Sequence, residues 1–91
     1  MRVTWTSKAV ADLARLHEFL APVDRRAAAR VVQSLTRVAT RLAELPRMGE
    51  KLDQYDPREV RRVLLGKYEM RYEVREASIF ILRIWHTREE R

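Results

Sequence analysis

Apolar positions along this chain change their period twice. Val3 and Trp5 bracket Thr4 in a short stretch that reads as a first strand. From there Val10, Leu13, Leu16, His17 and Leu20 recur every third or fourth position, as on one face of an amphipathic helix, and Ser7 is placed to cap it. Pro22 stops that helix, and Asp24 is placed to cap a second. In the second, Ala28, Val31, Val32, Leu35, Val38, Ala39, Leu42 and Leu45 form the apolar stripe. Arg26, Arg30, Gln33, Arg37, Arg41 and Glu44 form the polar side, and Pro46 is the expected stop. So short a connection implies an antiparallel helix pair.

After a polar stretch from Pro46 to Pro57, the period drops from that of a helix to that of a strand. Glu59 to Leu65 reads as a strand that turns at Gly66 and Lys67. Tyr68, Met70, Tyr72 and Val74 then alternate with Glu69, Arg71, Glu73 and Arg75, the pattern of a half-buried strand. Glu76 and Ala77 turn into a last strand, Ile79 to Trp85, apolar on both faces except for Arg83. The order β-α-α-β-β-β predicts an α+β fold, with the helical hairpin on one face of an antiparallel sheet and residues 1–91 forming one domain.

Strict alternation assigns Phe80, Leu82, Ile84 and His86 to the helix-covered face, and Ile79, Ile81, Arg83 and Trp85 to the other. Arg71 lies opposite the tyrosine face, and one of Arg61 and Arg62 must join it. Arginines from three strands are thus expected on one open sheet surface. An arginine among apolar neighbours needs a carboxylate or open solvent, because burying it unpaired is costly.

Charge sharpens this picture. Nineteen basic against thirteen acidic residues give a net +6, which favours an anionic partner. The excess is spread along the chain: residues 7–45 and residues 58–91 each carry +3. There is no cysteine, hence no disulfide framework or thiolate chemistry. No apolar run approaches the ~20 residues that span a bilayer, and the start lacks a secretory h-region, so a cytoplasmic protein with no membrane partner is expected. Two histidines far apart make no zinc spacing, and two glycines make no phosphate-cradling loop. No metal and no cofactor are expected.

The stretches "LAELPRMG" (Leu42 to Gly49), "RRVLLGKYEMRYEV" (Arg61 to Val74) and "ILRIWHTREER" (Ile81 to Arg91), with Trp5 and Ala11-Asp12-Leu13 ahead of them, resemble the ParE-type toxins of the RelE/ParE toxin–antitoxin superfamily. The resemblance runs from Val3 to Arg88. It implies a toxin neutralised by a cognate antitoxin, a small and partly disordered protein, with DNA reached only through the antitoxin complex. ParE-type members are associated with DNA gyrase inhibition and growth arrest, and their RelE-like relatives cut mRNA on the ribosome.

The two activities ask for different residues. A ribonuclease must activate the 2′-hydroxyl, stabilise the phosphorane and protonate the leaving oxygen. Arg62, Arg71, Arg83 and His86 are the candidates for those catalytic roles. Against them stand only three lysines, none pairing on the sheet, and no tyrosine after the last strand. Inhibition of gyrase by protein contact needs no general acid, so a non-enzymatic inhibitor is favoured over an endoribonuclease. A non-toxic antitoxin-binding module is a third reading. For target or antitoxin binding the candidates are Arg61, Arg62, Arg71, Arg83, Trp85 and Arg88. His17 is expected in the helix–helix contact, Tyr68 and Tyr72 in the core, and Arg88 to Arg91 as a solvated end.

Overall fold

The computed structural model of the chain describes residues 1–89. Strand β1 (Arg2–Trp5) leads into helices α1 (Ser7–Leu20) and α2 (Arg25–Leu42). A two-residue strand β2 (Glu50–Lys51) and a 3₁₀ turn (Asp53–Tyr55) follow, then β3 (Glu59–Leu65), β4 (Tyr68–Arg75) and β5 (Ser78–His86). The sheet order is β1-β5-β4-β3-β2. The expected α+β architecture is present, with both helices on one face. The sheet is mixed rather than wholly antiparallel, because β1 runs parallel to β5 while every other neighbour is antiparallel. Returning a strand to the far edge by way of two helices leaves its direction free, so the sequence pattern did not decide it. No helix is long and apolar enough to cross a membrane among the described residues.

The core lies between hairpin and sheet. Ala9 and Leu16 of α1 and Leu35, Ala39 and Leu42 of α2 meet Met70, Tyr72, Val74, Ile79, Ile81 and Ile84. Tyr72 is wholly buried, and its hydroxyl donates to the Pro46 carbonyl (2.9 Å) and accepts from the Gly49 amide (2.9 Å). That one oxygen ties the loop after α2 to the sheet. Gly49 is required there, since a Cβ would stand 2.5 Å from the Arg62 carbonyl oxygen. Burial pushes the Tyr72 phenol up from its ordinary pKa.

Several expectations give way. The α1 cap is Thr6, not Ser7: its hydroxyl accepts from the Ala9 amide (3.2 Å) and donates to the Ile81 carbonyl (2.7 Å), so one side chain caps the helix and pins it to β5. Asp24 caps α2 as expected, accepting from Ala27 at 3.0 Å. Helix α2 ends at Leu42, short of Pro46, because the residue before a proline is turned out of the helical region and the last turn unwinds ahead of it. Leu45 is consequently exposed. On α1 the buried face runs through Ala9, Asp12 and Leu16, while Val10 is 53% exposed and His17 faces solvent rather than α2.

The last strand departs from strict alternation. Its pairing with β4 shifts register between Arg71 and Tyr72, which face Arg83 and Ile81, so Leu82 is an extra residue. The bulge resets the faces. Ile79, Ile81 and Ile84 point into the core and His86 lies on the same face beside Tyr68, whereas Phe80, Arg83 and Trp85 face away. The alternation expected from sequence therefore holds from Arg83 to His86 and is inverted from Ile79 to Ile81.

Candidate functional site

Register brings three of the sequence candidates abreast. Arg62 on β3 pairs with Arg71 on β4, and Arg71 with Arg83 on β5, so the three form one row across the sheet face that carries no helix. Arg61, one position along, faces Tyr72 on the helix side. There it donates to the Gly49 carbonyl (2.8 Å) and to Glu59 (2.8 Å), and it holds the loop rather than joining the row.

The row is not an open cationic surface. Glu69 lies between its members and is 1% exposed. Arg71 Nε donates to Glu69 (2.7 Å) and its Nη1 to the Tyr55 hydroxyl (2.8 Å), while Arg62 pairs with Glu50 (2.6 Å) and reaches Glu69 at 3.8 Å. Trp85 is buried beneath them, its ring 4.9 Å from the Arg71 guanidinium carbon and 5.1 Å from that of Arg83. Further along the same face Glu73 binds Arg58, and Arg75 stacks over Phe80. Hydrogen bonds from Arg58 hold the Glu73 carboxyl below the usual range against the opposing effect of burial.

Arg83 reaches the sheet edge, where Asp12 of α1 meets it. Strand β1 covers β5 only as far as Ile81, so beyond that point β5 lacks a neighbour on that side. An unpaired buried strand amide is costly, and here α1 supplies what the missing strand would. Asp12 accepts from the Ile84 amide (2.9 Å), from Arg83 Nε (2.8 Å) and Nη2 (3.1 Å), and from Arg15. Arg15 donates to the Ile84 carbonyl (3.2 Å) and to Glu89 (3.3 Å), and Glu89 accepts from the His86 amide (2.8 Å). Burial raises the Asp12 carboxyl, but the hydrogen bonds from Arg83, Ile84 and Arg15 outweigh it and keep the group below its ordinary value.

His86 stands on the opposite face from the arginine row. Its ring meets Tyr68 edge-on, with centroids 5.3 Å apart, and its Nδ1 accepts from the Arg88 amide (3.1 Å). Of the four ribonuclease candidates, three share one face and the fourth lies across the sheet from them. Tyr68 and His86 instead separate two cavities of about 550 Å³ and 480 Å³, one walled by the end of α1 and the other by α2 and the β3–β4 turn. Phe19, 84% exposed, stands at the rim of the first, with Leu16 and Leu20 inside it. Arg88 lines this cavity too, and Glu89 is half-buried in the edge cluster rather than part of a solvated end; Glu90 and Arg91 lie outside the described residues.

Asp12, Arg15 and Glu89 were missed as members of the site. A signal existed in the spacing of Asp12 and Arg15, which puts them on one side of α1. Nothing in the sequence said that a bare strand edge lay beneath them. Among the described residues no group of three or more metal-ligating side chains comes together.

A family model described as the ParE toxin of the type II toxin–antitoxin system parDE matches residues 3–91. A curated relative, Toxin RelE2 of Caulobacter vibrioides, is 34% identical over 85 residues, covering 93% of each chain. A solved structure described as the chromosomal ParDE TA system from P. aeruginosa superposes with a TM-score of 0.77 at 26% identity, covering 92% of both chains.

Proposed function

Because this chain belongs to the ParE family of toxins of type II toxin–antitoxin systems, we propose that it inhibits DNA gyrase by surface contact and that a cognate antitoxin holds it inactive. The observation that carries the first part is the division of the candidate catalytic groups. A phosphoryl-transfer site needs its acid or base and its phosphate-binding cations within reach of one phosphorus atom. Here His86 and the row Arg62–Arg71–Arg83 are separated by the sheet, and every arginine of the row is engaged by a carboxylate of the same chain. A toxin acting through contact needs neither convergence nor free cations.

For the antitoxin, the grooves on either side of Tyr68 and His86 suit an amphipathic segment. Leu16, Leu20 and Phe19 offer apolar contact, and Arg88 at the rim suits an acidic side chain. The solved relative described as a ParDE system supports a partner of this kind.

A second reading is favoured by one observation, the name of the curated relative, Toxin RelE2. RelE-type action is mRNA cleavage on the ribosome. Expression of the chain without its antitoxin separates the two: gyrase inhibition leads to growth arrest with induction of the DNA-damage response and uncut messages by primer extension. Codon-specific cuts in the absence of that response would install the ribonuclease reading. Unimpaired growth would leave a non-toxic antitoxin-binding module.

A further inference from the structure

The carboxylates of this chain are drawn to the sheet, and helix α2 is left without them. Among the described residues nine basic side chains, seven of them on or beside the sheet, have ion-pair partners, and none of these nine is on α2. Helix α2 holds five arginines and no acidic residue between Arg25 and Leu42. All five are exposed, and no ion pair or hydrogen bond engages the side chains of Arg26, Arg30, Arg37 and Arg41 among the described residues. At the turn of an α-helix these four positions fall within about 60° of one another, in a line about 22 Å long. The line lies opposite the buried Ala28, Leu35, Ala39 and Leu42. Part of the charge excess that looked diffuse along the sequence is thus gathered into a stripe in three dimensions.

We propose that this stripe of α2 is a binding surface for the phosphate backbone of double-stranded DNA, contacted by the toxin itself and without regard to base sequence. Three features favour that occupant over an acidic protein. The residues between the arginines on this face are Gln33, Thr36, Thr40 and Ala29, all exposed, so the face lacks the large apolar or aromatic anchors on which protein interfaces depend. Guanidinium groups with short polar side chains among them make up the usual complement for phosphate oxygens. The helix also has no aromatic residue, so it offers no platform on which the bases of a single strand could stack. The proposal departs from the expectation that DNA is reached only through the antitoxin, and it does not depend on gyrase being the target.

The test is fluorescence anisotropy of the purified full-length chain with a labelled 20-base-pair duplex of arbitrary sequence, titrated between 50 and 200 mM salt. Four phosphate contacts predict a log–log slope near −3.6 and a loss of affinity of about 150-fold over that range. The double variant Arg30→Gln/Arg37→Gln should bring the slope to about −1.8. The control Arg2→Gln/Lys8→Gln removes the same charge elsewhere on the surface and should leave the slope unchanged; thermal melting confirms that both stay folded. Equal weakening by the two double variants would mean diffuse attraction and overturn the proposal, as would tighter binding to the single strand. Unchanged duplex binding by the Arg30→Gln/Arg37→Gln variant, with loss of the antitoxin complex, would make the stripe a protein interface and overturn it too.

Discussion

Replacing Asp12 by alanine would take the carboxylate from Arg83 and the acceptor from one strand amide at the same moment, while Arg15 would keep Glu89 and the Ile84 carbonyl. The carboxylate is 2% exposed and serves Arg15, Arg83 and Ile84 together. The buried Ile84 amide loses its acceptor, while Arg15 and Arg83, each more than a third exposed, can turn to solvent, so Asp12→Ala should lower the unfolding free energy by about 1–3 kcal/mol in urea. A double-mutant cycle with Arg83→Ala should show coupling of about 0.5–3 kcal/mol, since the two side chains are in direct contact. Tyr72→Phe is a gentler probe. It removes only the hydroxyl shared by Pro46 and Gly49, and a cost of about 1–3 kcal/mol is expected. A cost near zero would mean that the loop is held by its other contacts. His86→Gln should leave toxicity intact, because the ring is far from the arginine row and already engaged by Tyr68 and the Arg88 amide.

Elements were legible where their own sequence determines them. The helical hairpin, the β3–β4 turn and the alternation of β4 follow from local periodicity, and the structure has them. The cap at Thr6 was not legible, because Thr6 and Ser7 are equal as caps until the Ile81 carbonyl offers Thr6 a second bond. Asp12 reads as solvent-facing on any hydropathy pattern, and only the bare edge of β5 explains its burial. The bulge at Leu82 was hidden for a related reason: in a strand apolar on both faces, alternation has no polar residue to mark the reset until Arg83. Arg71 and Arg83 were expected to share a face with one of Arg61 and Arg62, and register selects Arg62; the neutralisation of the row was not foreseen, since cross-strand carboxylates are located by register. One outcome checks the bulge directly. Deleting Leu82 leaves Ile79, Ile81, Ile84 and His86 on the core face by plain alternation, so the shortened chain should still unfold cooperatively. Loss of the folded state on that deletion would mean that Leu82 is needed for more than the register shift.

At the scale of the whole molecule, charge is sorted. Carboxylates neutralise the open sheet face and the edge of β5, and α2 carries a line of four arginines with no ion-pair partner among the described residues. The paired carboxyls of Asp12, Glu59, Glu73 and Glu89 all sit below their ordinary values. A depressed folded value means that the contribution to stability is present above the unfolded value, about 4 for these groups, and is lost as pH falls through the folded one. Stability in urea should therefore be level from pH 8 to about 5 and fall steeply below about 4. Asp12→Asn should make that acid fall shallower. Arg15, Arg58, Arg71 and Arg83 are raised, so their contribution is present below the unfolded value and is lost only in strongly alkaline solution.

Neutralised sheet arginines and a histidine on the far side support the proposed action through surface contact, and a gyrase supercoiling assay tests it most directly. Purified chain, titrated into gyrase with relaxed plasmid and ATP, should abolish supercoiling at concentrations comparable to the enzyme, with His86→Gln as potent as the parent chain. Full supercoiling in the presence of a large molar excess of folded chain would contradict gyrase as the target.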